Sequence, residues 1–148
     1  MFSVEKTLPV NDGVGPNLTR SEVWAGLVMK GENALPFVPI MKRCEVQERG
    51  ENWLVREIQI GDEIMHERVT FRPEHTVVFQ RLDGVERGTI VNEILEENGA
   101  LVLRFRFELS REDMADGSDE EKAYAEGMEG TYLKAVQSTL ETIRRLRA

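Results

Sequence analysis

From residue 41 to residue 109, apolar and polar side chains alternate, and turn residues interrupt the alternation at hairpin spacing: "RGEN", Gly61-Asp62, "RPEH", Asp83-Gly84 and Asn98-Gly99. Six antiparallel strands in meander order are the simplest arrangement this pattern allows. The last is the most regular, with Leu101, Leu103, Phe105, Phe107 and Leu109 on one face and Arg104, Arg106 and Glu108 on the other. A sheet built this way buries one face and needs a partner for it.

The flanks supply that partner. Residues 2–8 alternate with Phe2, Val4 and Leu8 on one side, and "PVNDGVGPN" then breaks the pattern. "LTRSEVWAGLVMKG" carries a capping box, Thr19 with Glu22, and places Val23, Leu27 and Val28 at helical spacing, which predicts a helix ending near Gly31. The Pro-rich "ENALPFVPIM" reads as a second short helix or a bend. After an acidic loop, Ser118 and Glu121 form another capping box, opening a helix to about Arg147 with acids at its start and arginines at its end. Its stripe of Met128, Tyr132, Val136, Leu140 and Ile143 needs a large apolar surface, and only the sheet is large enough.

The turns fix a register. With Gly61-Asp62 as a two-residue type II′ turn, Ile60 faces Glu63, Ile58 faces Met65, and Leu54 faces Val69. Arg56 then stands opposite Glu67 on this apolar face. The same rule at Asn98-Gly99 pairs Ile94 with Leu103, Asn92 with Phe105 and Ile90 with Phe107, so Asn92 is a third polar residue on the buried side. A two-residue turn at Asp83-Gly84 puts Gly88 opposite Phe79, leaving space there. Three loop residues around Pro73 would bring Arg81 opposite Glu67, whereas two would not, and the sequence leaves both open.

Length and composition fit one domain, residues 1–148, with an ordinary globular balance of 41% hydrophobic and 31% charged residues. No apolar run is long enough to span a bilayer, and "MFSVEKTLPV" lacks the features of a signal peptide, so a cytoplasmic location is expected. A net charge of -8 without a separate basic cluster argues against nucleic acid as a partner. His66, His75 and the lone Cys44 have no metal-ligand spacing, and "GVG" at 13–15 follows no dinucleotide-type strand. Neither a metal nor a cofactor is expected. No nucleophile elbow is present, and Cys44 stands outside any nucleophile motif.

The stretches "LTRSEVWAGLVMK", "FVPIMKRCEV", "VREIQIG", "HERVTFRPEHTVVFQR", "GTIVNEI" and "LRFRFEL" resemble the AtaL-like branch of the SRPBCC superfamily, the START-like and birch-pollen-allergen-like proteins. The resemblance covers nearly the whole chain and rests on phrases, not on a catalytic signature. It implies an α+β helix-grip fold: a seven-stranded antiparallel sheet curled around a long C-terminal helix, with one or two short helices after the first strand. It also implies an internal cavity, which in the superfamily holds small apolar molecules.

Two readings of the buried charges follow. Arg56 and Glu67 are either a cross-strand ion pair with a structural role or, with Asn92, the polar part of a cavity lined by Leu54, Ile58, Met65, Val69, Phe79 and Phe105. Tyr124 and Tyr132 either point hydroxyls into that cavity or belong to the core. Gly127 and Gly130, inside the long helix, suit close packing, a kink or a helix that begins late. The function expected first is a binding or carrier protein for a small apolar or aromatic metabolite. The alternative is a cyclase or dehydratase in which Arg56 polarises a carbonyl, Glu67 is the acid or base and Asn92 orients the substrate. Trp53, Val55, Ile64, Val78, Val91 and Leu95 fall on the outer face, where they could support a homodimer.

Overall fold

The structure, a computed structural model, describes residues 1–13 and 15–147, with the side chain of Arg147 outside that description; Val14, in the Gly-Val-Gly stretch, and Ala148 also lie outside it. The elements run β1 (Phe2–Pro9), α1 (Arg20–Glu32), β2 (Met41–Gly50), β3 (Trp53–Ile60), β4 (Glu63–Arg72), β5 (Thr76–Arg81), β6 (Glu86–Glu97), β7 (Ala100–Arg111) and α2 (Asp119–Arg147). All seven strands join one antiparallel sheet in the order β1-β7-β6-β5-β4-β3-β2. The sheet curls around α2 as a helix-grip fold, so the meander is extended at one edge by the first strand.

The β3–β4 register agrees with the one read from Gly61-Asp62: Arg56 faces Glu67, Ile58 faces Met65 and Leu54 faces Val69. Asn92 faces Phe105 across β6 and β7, and Arg81 faces Glu67 across β4 and β5. The three-residue connection around Pro73 is therefore the one adopted. One pairing differs. Ile90, not Gly88, lies opposite Phe79, and Gly88 faces Arg81. The connection from β5 to β6 occupies residues 82–85, because the Leu82 N–H bonds to the His66 carbonyl instead of extending the hairpin ladder. The register moves by two residues, which keeps every side chain on its expected face. Gly88 does not open space in the sheet: its φ is +128°, and a methyl group there would collide with the Glu108 carbonyl.

Thr19 caps α1 with both halves of the capping box formed. At α2 the box is only half made: the Ser118 hydroxyl accepts from the Glu121 N–H at 3.1 Å, while the Glu121 carboxylate takes the Gly117 N–H at 3.0 Å. Between α1 and β2 there is one turn in place of a second helix, held by the Phe37 and Val38 N–H groups on the Ala34 carbonyl. Pro36 and Pro39 prevent its continuation. The α2 stripe behaves as its spacing predicts, with Tyr132, Val136, Leu140 and Ile143 buried in the same cluster as Leu103, Phe105 and Phe107, and Met128 partly buried against it. Tyr132 stacks on Phe107 with ring centroids 4.3 Å apart.

Gly127 and Gly130 lie well inside α2, and a methyl group at either would touch nothing. Neither close packing nor a late helix start accounts for them, and nothing else in the structure explains them. On the outer face Trp53 is covered by the Arg68 guanidinium at 4.7 Å, and Val55, Val78, Val91 and Leu95 are half-buried; Ile64 is exposed. No helix among the described residues is long and apolar enough to cross a membrane.

Candidate functional site

The charges on the concave face form a chain across four strands. Arg56 of β3 donates from Nε and Nη2 to Glu67 Oε1 of β4, at 3.0 and 2.8 Å. Arg81 of β5 donates from Nε to Glu67 Oε2 at 3.3 Å and from Nη1 to Glu86 Oε1 of β6 at 2.6 Å. Glu86 Oε2 accepts from the Tyr124 hydroxyl of α2 at 2.8 Å and lies 3.6 Å from Arg111. Alternation of sign along adjacent strands lets each buried charge meet an opposite one. Burial alone would raise the Glu67 carboxyl, but the guanidinium groups of Arg56 and Arg81 outweigh it and hold Glu67 below the usual carboxylate range.

Arg56 has a second task. Its Nη1 donates to the carbonyls of Lys30 and Gly31, both at 2.8 Å, in the last turn of α1. Carbonyls at a helix C-terminus lack intrahelical partners and carry partial negative charge, so the guanidinium satisfies them and joins α1 to the sheet. Four of the five N–H donors of Arg56 are engaged in this way.

Lys30 is the polar residue that the sequence pattern did not single out. It lies three residues beyond Leu27 and seven beyond Val23, on the buried stripe of α1, and that spacing was the available signal. Its side chain enters the space under α1 with Nζ 5.3 Å from the Phe79 ring centre and 5.1 Å from that of Phe105. Nζ donates to Asn92 Oδ1 at 3.0 Å. Burial lowers the Lys30 pKa, the nearby Arg56 charge lowers it further, and Glu67 offsets only part of this, leaving it at about 7.

These groups meet at a cavity of about 80 Å3 between the sheet and α2. Roughly 10–15 Å3 suffices for one water, so the space accommodates several waters or one ring-sized group. Phe79, Ile90, Phe105 and Phe107 line it from the sheet, and Thr131, Tyr132, Ala135 and Val136 from α2. Lys30, Arg56, Glu67 and Arg81 supply its polar wall. Ile40, 44% exposed, stands on the wall formed by the α1–β2 connection. A wider depression of about 280 Å3 beside Val85 and Arg111 lies at the surface and includes no buried residue. Volume alone therefore does not identify the site.

Of the residues expected to surround a ligand, Arg56, Glu67, Phe79, Phe105 and Tyr132 line this cavity. Asn92 is fully buried and reaches the site through Lys30, and its Nδ2 has no hydrogen-bond partner. Met65 is not on the wall. It packs with Ala34, Met41 and Ile58 in a small core beside the cavity, of which Met41 reaches the wall. Leu54, Ile58 and Val69 are likewise core residues outside the cavity wall. The Tyr132 hydroxyl is buried without a partner, and burial raises its pKa well above that of a free tyrosine. Among the described residues no group of three His, Cys, Asp or Glu side chains comes together to hold a metal.

The sequence profile of one family, AtaL, described as acetylaranotin biosynthesis cluster protein L, matches residues 4–148. No curated protein matches the chain in sequence. Among solved structures, the ZhuI aromatase/cyclase from Streptomyces sp. R1128 is similar with a TM-score of 0.72 and 20% identity, over 99% of this chain and 96% of that one. The di-domain aromatase/cyclase StfQ of steffimycin biosynthesis gives a TM-score of 0.71 at 13% identity, covering 98% of this chain and 52% of its own. Ara h 8.0201 gives 0.63 at 12% identity, over 98% and 96%. At these identities the likeness concerns the fold.

Proposed function

Because the chain belongs to the AtaL family, we propose that it is a binding or carrier protein, holding a small apolar or aromatic organic molecule in the cavity between the sheet and α2. The observation that carries this reading is the wall itself: aromatic and aliphatic side chains from two layers converge with a few buried polar groups, the usual make-up of a small-molecule site. Phe79, Phe105 and Tyr132 contact the ligand, Arg56 and Glu67 hold the polar floor, and Asn92 positions Lys30. Met65 supports the end of the sheet behind the site.

A cyclase or dehydratase is the second reading, supported by the aromatase/cyclases among the structural neighbours. The assignment of Glu67 as its acid or base is unfavourable, since both carboxylate oxygens accept from arginines and its pKa is depressed. Binding therefore remains the better supported function.

Native mass spectrometry of the purified protein, alone and with a panel of one- and two-ring aromatic compounds, tests the proposal. The expected result is a 1:1 adduct on the 16.9 kDa chain that is lost on denaturation. A bare chain that takes up no member of the panel would contradict it.

A further inference from the structure

We infer that the ligand of this cavity is a small organic acid, its single anionic oxygen group seated against the Lys30 ammonium and the Tyr132 hydroxyl. The inference rests on the proposed binding function and adds to it the chemistry of the ligand.

Lys30, Arg56 and Arg81 meet only Glu67 and Glu86 at the cavity floor, and Glu86 is also shared with Arg111. Among the described residues no carboxylate pairs with Lys30. One buried cation therefore lacks a counter-charge, an arrangement that an anionic ligand completes.

The cavity also holds more donors than acceptors. An ammonium carries three N–H donors, and Lys30 spends one on Asn92. The Tyr132 hydroxyl lines the same cavity and has no partner. Both groups need an acceptor, and a carboxylate, enolate or phenolate oxygen supplies several lone pairs in a small volume. The rings of Phe79 and Phe105 beside Nζ suit the apolar body of such an acid.

The titratable groups at the cavity come from every layer, with Arg56 on β3, Glu67 on β4, Arg81 on β5, Glu86 behind Arg81 on β6, and Tyr132 on α2; of these, Arg56 and Glu67 act on Lys30. Arg56 lowers the Lys30 pKa and Glu67 raises it, after a larger lowering by burial. An anion beside Nζ would raise it again, so binding above pH 7 takes up a proton.

Calorimetry with benzoate and 2-naphthoate, each against its neutral primary amide, tests the inference. At pH 6.5 the acids should bind at least about tenfold tighter than the amides, as charge-assisted hydrogen bonds require. Their affinity should fall by about tenfold per pH unit above 7, with matching proton uptake. Lys30→Met should abolish the preference, and Tyr132→Phe should reduce it. Amides binding as tightly as acids, or an acid preference that survives Lys30→Met, would overturn the inference and leave the binding function standing. Binding of neither class in the wild-type protein would overturn both.

Discussion

Arg56→Met is expected to destabilise the protein by about 3–5 kcal/mol, the usual cost of removing one partner from a buried ion pair. Methionine restores much of the volume but none of the four hydrogen bonds. Glu67 would keep only Arg81, and the last-turn carbonyls of α1 would be buried without donors. Urea unfolding followed by linear extrapolation measures the loss. Adding Glu67→Gln should recover part of it by removing the stranded charge, though Arg81 then depends on Glu86 alone. A loss below about 1 kcal/mol for the single variant would mean that Arg56 is effectively solvated, as surface pairs are.

Lys30→Met should have the opposite sign. The Lys30 pKa falls from 10.5 in the unfolded chain to about 7 in the folded protein. Between those values the unfolded chain binds more protons, so stability rises with pH across that window. Below about pH 7 the folded protein carries the buried ammonium at full cost, and at neutral pH the penalty is roughly 4 kcal/mol from the size of the shift. Replacement by methionine removes this penalty but leaves Asn92 Oδ1 without its donor. A net gain of about 1–3 kcal/mol at pH 7 is expected, with a flatter stability profile from pH 7 to 10. Denaturant midpoints at several pH values check both. A destabilised variant, or one with the wild-type slope, would show that Lys30 is better solvated than its surroundings indicate. A cation held at such a cost in the absence of ligand is what a site for an anion would contain.

Much of this was legible in the sequence because strand periodicity leaves few choices. Once Gly61-Asp62 defined the turn, the period of two determined which residues face each other, and Arg56 and Glu67 could be paired across β3 and β4. The same parity put Asn92 on the buried face. The Asp83-Gly84 region shows the limit of turn chemistry: a Gly at positive φ fits a two-residue or a four-residue connection, and only the His66 carbonyl bond to Leu82 selects the longer one. Lys30 was missed because a lysine on a helix is ordinarily read as solvated, even when it falls on the apolar stripe. The composition of the cavity wall was less legible still. It depends on where α2 crosses the sheet, which leaves Met65 in a small core beside the cavity and puts Thr131 and Ala135 on the wall.

A small molecule bound between the sheet and α2 perturbs the residues that line that space. Methyl and aromatic NMR shift mapping, with the tightest binder from the one- and two-ring panel, tests it most directly. The Ile90, Ala135 and Val136 methyls and the Tyr132 ring should shift together and show ligand contacts, while Ile64 and Leu146, which are exposed, stay unchanged. Shifts confined to Ile64, or to the outer depression between Trp24 and Trp53, would contradict occupancy of the cavity and place binding outside it.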